Sequence, residues 1–269
     1  MANFICLTCG VQFAATEEPP QQCPICQDER QYVNWKGQQW TTLEALQKDY
    51  HNVIKPVEPG LTGIGTSPTF AIGQRALLVQ TSAGNILWDC ISLIDPPTIA
   101  AIKALGGISA IAISHPHLYA SMVEWSRAFN APIYLHRHNQ TEVMRPDPAI
   151  KFWDGETYAL NPEVTLIRCG GHFAGSTVLH WSAGAAGQGV LLTGDSIMVV
   201  QDRRFVSFMY SYPNLIPLSA AAVRRIVSAV EPYAFDRLYG GWWDKIVNGE
   251  AKAAVAHSAE RYIQMIERN

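Results

Sequence analysis

The sequence predicts an α/β protein in which two sheets carry helices on their outer sides, preceded by a small cysteine-rich unit. Three observations predict it. Strand-like apolar runs come first as hairpins and then alternate with helical patterns. Two C-x-x-C pairs stand close together near the N-terminus. Several buried-strand patterns end in a histidine or an aspartate, as strands do when their ends carry a site.

The cysteine pairs are Cys6 with Cys9 and Cys23 with Cys26, the second reading "CPIC". In a reducing cytosol such a set is a metal site before it is two disulfides. Four thiolates on two tight knuckles close a tetrahedral zinc shell; iron of the rubredoxin type and free thiols are the alternatives. The unit that carries them, residues 1–54, is too short to bury much apolar surface, so metal is expected to supply much of its stability. Within it "TTLEALQKDY" reads as a short helix with Thr41 or Thr42 as N-cap. "KPVEPGLTGIG", rich in Pro and Gly, reads as a linker into a second domain over residues 55–269.

In that domain "ALLVQT" and "NILWDC" are strands joined through "SAG". "PPTIAAIKALGG" is a helix with Pro at its start and Gly past its end. "ISAIAIS" is a buried strand, "SMVEWSRAF" a helix and "APIYLH" a strand. "EVTLIRC", "STVLHWS" and "GVLLTGD" are three further strands. "SAAAVRRIVSAV" is a helix, "FDRLYGG" a strand and "EAKAAVAHSAERYIQMIE" a long closing helix.

Composition sets outer bounds. The chain of 269 residues is 48% hydrophobic and 16% charged, with net charge −3. Nothing basic suggests a nucleic-acid footprint. No apolar run reaches the roughly 20 residues needed to span a bilayer. The start, "MANFICLTCG", lacks the pattern of a signal peptide, so a cytoplasmic protein is expected. Oligomerisation is left open.

The chemistry concentrates in three segments. "SHPHLYAS" places His115 and His117 two apart straight after a buried strand, with Pro116 stiffening the turn. Neutral imidazole is a borderline-soft donor that suits zinc. "CGGHFAGSTVLHW" puts His172 on a Gly-rich loop, and "VLLTGDSIM" puts Asp195 at the end of a buried strand, where a carboxylate needs a partner. His136 and His138 form a second H-x-H that reads as surface or capping, and His180 reads as a core histidine. Cys90 and Cys169 stand alone in apolar runs and read as core. Arg203 and Arg204 either fix an anionic group or pair with Asp202.

Together the strand order, "ILWDC", "SHPHLY", "GGHFAGSTVLHW", "LLTGDS" and "LYGGWW" resemble the metallo-β-lactamase superfamily, in particular its glyoxalase II-like hydrolase branch. The resemblance runs from about residue 60 to the end. It implies an αββα four-layer sandwich with one or two metals at the sheet edge. His115, His117 and His172 match the ligands of the first metal, Asp195 matches the bridging ligand, and Asp89 matches an aspartate that supports the metal loop. The departures fall together. Tyr119, Ala120 and Trp242 stand where the family has ligands unique to the second metal. The resemblance therefore implies a single-metal site.

Three histidines around zinc with an open position lower the pKa of a bound water to about 7. That suits hydrolysis of an ester, thioester, lactone or phosphodiester in a small-molecule substrate. Asp195 is either a fourth ligand or the general base, and Tyr119 either donates to a developing oxyanion or fills space. Trp242 and Trp243 read as pocket wall. The alternative function is a non-catalytic binding or regulatory protein that keeps the metal as scaffold and uses the ribbon for partner contact.

Overall fold

A computed structural model describes residues 1–268. The chain divides into two compact units: Met1–Leu135 with Gln140–Phe152, and His136–Asn139 with the chain from Trp153 onward.

The first unit is built on a seven-stranded sheet, in chain order His51–Glu58, Leu61–Ser67, Arg75–Val79, Ile86–Trp88, Ala110–Ala112, Ile133–His136 and Ile150–Trp153. The first four pair antiparallel and the next two join in parallel. A parallel step needs a crossover, and the helices Pro96–Ala104 and Met122–Phe129 supply the two crossovers. Asp95 caps the first, its carboxylate accepting from Thr98 N at 2.8 Å. Ile102 and Trp125 carry these helices into the same apolar cluster as Ile64, Leu78 and Ile111 of the sheet.

The segment read as a linker is the hairpin of His51–Glu58 and Leu61–Ser67, in register from His51 with Ser67 onward. Its proline and glycine content pointed to a loop, but Pro56 lies on an edge strand, where a missing N–H is tolerated, and Gly60 (φ +80°) makes the turn. The short helix before it does form, over Leu43–Asp49, with Thr42 Oγ1 accepting from Ala45 N at 3.3 Å.

The second unit is built on a six-stranded sheet: Thr157–Asn161, Val164–Arg168, Thr177–Trp181, Val190–Gly194, Arg237–Gly240 and Ile246–Val247. Val190–Gly194 and Arg237–Gly240 are parallel, and Ala220–Val230 is the crossover helix between them. Ala251–Ile266 closes the chain. Val223, Ile226 and Val255 from these helices share one apolar cluster with Ile167, Leu191 and Leu238 of the sheet. Two small hairpins, Met198–Val199 with Val206–Ser207 and Met209–Ser211 with Ile216–Pro217, pair outside the main sheet.

Among the described residues, no helix is long and apolar enough to cross a membrane.

Candidate functional site

The cysteine set converges. Cys6, Cys9, Cys23 and Cys26 are all buried, with Sγ atoms 3.6 Å apart for Cys6 and Cys26 and 3.7 Å for Cys9 and Cys23. A tetrahedral zinc with bonds of about 2.3 Å holds its sulfurs about 3.8 Å apart. The two knuckles are made by the backbone, Gly10 N donating to Cys6 O and Cys26 N and Gln27 N donating to Cys23 O. Gln38 Nε2 donates to Cys6 Sγ at 3.2 Å, the kind of outer contact that steadies a thiolate ligand. Hydrogen bonding from the Cys23 and Cys26 thiols holds Cys6 far below the usual thiol range, while burial pushes Cys9 far above it. Four crowded sulfurs that cannot all lose their protons alone suit a cation that lets them do so together.

The second cluster is His115, His117, His172 and Asp195. Each offers one ligand atom, and these atoms all lie within 4.8 Å of one another. All four side chains are buried. His115 and His117 are placed by the buried strand Ala110–Ala112, whose chain leaves through Ser114 into the 3₁₀ turn Pro116–Leu118. Asp89 supports this exit, as the resemblance implied: its Oδ1 accepts from Ser114 N at 2.8 Å. Asp89 itself is held at φ +60°, a conformation that L-residues keep only when their surroundings impose it. Ser114 Oγ lies 2.9 Å from His115 Nδ1, which fixes the ring and turns Nε2 toward the cluster.

His172 sits on the loop between Val164–Arg168 and Thr177–Trp181. The loop closes on Gly175, whose N–H donates to Asn139 Oδ1 at 2.9 Å. A Cβ there would lie 2.7 Å from that oxygen, so any larger residue must displace the Asn139 amide. Tyr210 O lies 2.8 Å from His172 Nδ1. A carbonyl can only accept, so Nδ1 carries a proton, which leaves Nε2 as the nitrogen available to a metal. Nε2 is 3.8 Å from Asp195 Oδ2. That separation is one that two ligands of a single ion span. Nε2 of His115, Nε2 of His117 and Oδ1 of Asp195 are likewise taken out of water. Three imidazoles and a carboxylate are a zinc or iron donor set, and the residues fit the metal that the resemblance implied.

Sequence reading missed Tyr210 and Tyr212. Tyr212 Oη donates to the backbone oxygen of Asp195 at 2.8 Å, and its ring lies 5.8 Å from that of His172. Burial pushes the Tyr212 phenol well above its usual range, so it stays a neutral donor. The only signal was the aromatic interleaving of "FMYSYPN". Tyr212→Phe is expected to weaken metal binding at this cluster about 10-fold, as loss of an outer contact does, while costing about 1 kcal/mol of stability. Competition titration with a chelating dye and a thermal melt check both.

The remaining candidates lie as follows. Tyr119 is fully buried, directly after the 3₁₀ turn. Trp242 and Trp243 are half-buried. Arg204 pairs with Asp202 through two short contacts at the surface, the ion-pair alternative. His138 is exposed and its N–H donates to His136 Nδ1. His180 is buried with Nε2 2.7 Å from Ala234 O. Burial pushes the Cys90 thiol far up and that of Cys169 up to about 12, so both are inert core thiols.

No family model matches the chain. The sequence is 52% identical over 268 residues to the protein YmaE of Bacillus subtilis (strain 168), covering 99% of this chain and 97% of that protein. The chain belongs to the YmaE family. YmaE is uncharacterized, so membership of its family brings no activity with it. Solved structures supply the fold. The metallo-β-lactamase DIM-1, exposed to ceftazidime, matches with a TM-score of 0.59 at 13% identity, over 80% of this chain and 98% of that one. The metallo-β-lactamase FIM-1 of Pseudomonas aeruginosa, in its mono-zinc form, matches with a TM-score of 0.58 at 15% identity, over 78% and 95%. This YmaE-family chain has the metallo-β-lactamase fold, the α/β class expected from its sequence.

Proposed function

We propose that the protein is a metal-dependent hydrolase with a single zinc held by His115, His117 and His172, with Asp195 at its edge. The observation that carries this reading is the convergence of those four buried donors from separate strand ends. A zinc bound there supplies Lewis acidity and activates water at neutral pH. The chain's own residues do the rest. Ser114 and the Tyr210 carbonyl fix which imidazole nitrogen faces the cluster. Asp195, steadied through its backbone by Tyr212, accepts the proton of the attacking water. Tyr119 donates to the developing oxyanion. The substrate class is an ester, thioester, lactone or phosphodiester, in line with the glyoxalase II-like resemblance of the motifs.

The mono-zinc reading rests on Tyr119, Ala120 and Trp242 standing where a second ion would need ligands. Residues 1–54 are, in this reading, a structural zinc ribbon. Elemental analysis is expected to give about two zincs per chain, one lost on His115→Ala and the other on Cys6→Ser with Cys23→Ser. Three tightly bound metals would sink the single-metal reading, and iron in place of zinc at the histidine cluster would change the chemistry. The functional test is metal-dependent turnover on a panel of activated esters, thioesters, lactones and bis-nitrophenyl phosphate.

A second reading has one observation in its favour. Four protein donors suffice to close a tetrahedral shell. A closed site is a scaffold, and the protein would then be a binding or regulatory protein. No turnover on the panel, with four protein atoms and no water around the ion, would decide for it.

A further inference from the structure

We infer that the cysteine unit is the positioning element of the His115–Ala120 loop, so that metal at Cys6, Cys9, Cys23 and Cys26 sets the metal affinity of the histidine cluster. The inference rests on the proposed metal role of that cluster.

The chain leaving the first knuckle runs straight to the loop. Gly10 O accepts from Ser92 Oγ at 2.7 Å, and two residues on, Gln12 N donates to Ala120 O at 3.0 Å. The loop is gripped at a second point, where Cys90 N donates to Leu118 O at 3.2 Å. Both anchors therefore lie within three residues of His117. The Gln12 side chain, itself buried, takes a short hydrogen bond from Arg145, whose guanidinium also pairs with Glu124 Oε1 at 2.5 Å. Glu124 belongs to the helix that the loop feeds, Met122–Phe129. Gln12 and Arg145 thus tie the knuckle, the loop and its helix together, and both are positioning residues.

Packing points the same way. Cys6, Cys9, Val11, Cys23 and Cys26 share one apolar cluster with Leu118, Tyr119 and Ala120. Val11 and Gln12 line a small cavity together with Tyr119, Ala120 and Arg145. Ala120 is held at φ +43°, left-handed backbone that alanine adopts only under constraint. The hydrogen bond that Ala120 O receives from Gln12 is such a constraint. Tyr119 and Ala120 are the two positions at which the family motif would have placed second-metal ligands. Here Gln12 N holds the backbone of Ala120 at the far end of the loop.

A loop that is held binds metal without first being ordered, so emptying the ribbon loosens His115 and His117. The test uses the full chain loaded with Co(II). Thiolate–cobalt charge-transfer bands report the cysteine site alone; with spectroscopically silent Zn(II) in the ribbon, or with those thiols blocked by an organomercurial, the d–d bands report the histidine cluster. Emptying the ribbon this way, or Arg145→Met with the ribbon still loaded, is expected to weaken Co(II) binding at the histidine cluster at least about 10-fold and to shift its d–d bands. Arg145→Lys is expected to restore part of the affinity. Unchanged affinity and bands on emptying the ribbon overturn the inference, as does an Arg145→Met protein indistinguishable from the wild type. If the wild type takes up no cobalt beyond its cysteine site, the proposed metal centre itself fails, which is a different result from loss of coupling. None of these readouts depends on hydrolysis.

Discussion

Asp195→Asn is expected to lower turnover by about 10²–10⁴-fold while leaving most of the metal in place. The substitution keeps the shape and an oxygen donor and removes the charge and the basicity. Oδ2 of Asp195 lies 3.8 Å from Nε2 of His172, and the backbone oxygen of the same residue is pinned by Tyr212. The backbone of Asp195 is therefore held whether or not its side chain is charged, and the loss is expected to fall on proton transfer. His115→Ala is expected to give the contrasting result: metal at the cluster and activity vanish together if His115, placed by the Ala110–Ala112 strand end, is a ligand as proposed. Tyr119→Phe separates the last role, lowering turnover with metal content unchanged if the phenol stabilises the oxyanion. Parallel assays of turnover and bound zinc on the three variants read this out. Should Asp195→Asn lose metal and activity in equal proportion, Asp195 is a ligand first and the general-base role falls.

The largest stability effect is expected at Gly189, at the other end of its strand from Asp195. Gly189 lies just before the strand Val190–Gly194, which delivers Asp195. Its φ is +86°, and a Cβ added to it would stand 2.0 Å from the backbone oxygen of Ala234. That oxygen cannot rotate away, and it is already 2.7 Å from His180 Nε2, while Gly189 O accepts from Asp236 N at 3.0 Å. Gly189→Ala must therefore move backbone. Overpacking costs about 1–3 kcal/mol, and the left-handed conformation adds about 1–2 kcal/mol for a residue with a Cβ. A loss of roughly 3 kcal/mol or more is expected in urea unfolding monitored by tryptophan fluorescence. A midpoint within error of the wild type would show that the turn relaxes at no cost.

The residues that could be read from sequence are those whose type alone restricts their use. Cysteines in C-x-x-C pairs, histidines two apart after an apolar run, and an aspartate closing a buried strand have few roles at such places. All eight fall into the two clusters that the structure brings together. The central strands and long helices were legible because burial on one or both faces leaves a clear apolar pattern. The hairpin over residues 51–67 was not, because an edge strand tolerates the proline and the half-exposed side chains that elsewhere signal a loop. The strands Ile150–Trp153 and Thr157–Asn161 were missed for a related reason, since exposed polar and charged residues interrupt their pattern. Tyr210 and Gln12 were invisible for another reason. Each acts in part through its backbone, the first by a carbonyl and the second by an N–H, and sequence carries no mark of which peptide group will meet which side chain.

The two tyrosines of the Met209–Ser211 hairpin region lead very different lives under mutation. What His172 takes from position 210 is a carbonyl, which every amino acid brings. What Asp195 takes from position 212 is a phenolic hydroxyl at the end of a ring, which only tyrosine brings at that reach. Drift at position 210 leaves the histidine's tautomer untouched, whereas drift at 212 removes a donor from the carboxylate's main chain and a ring from the imidazole's flank. Two aromatic residues two positions apart, indistinguishable by composition, are thus expected to be under opposite kinds of selection: one for its place in the backbone trace, the other for its chemical identity.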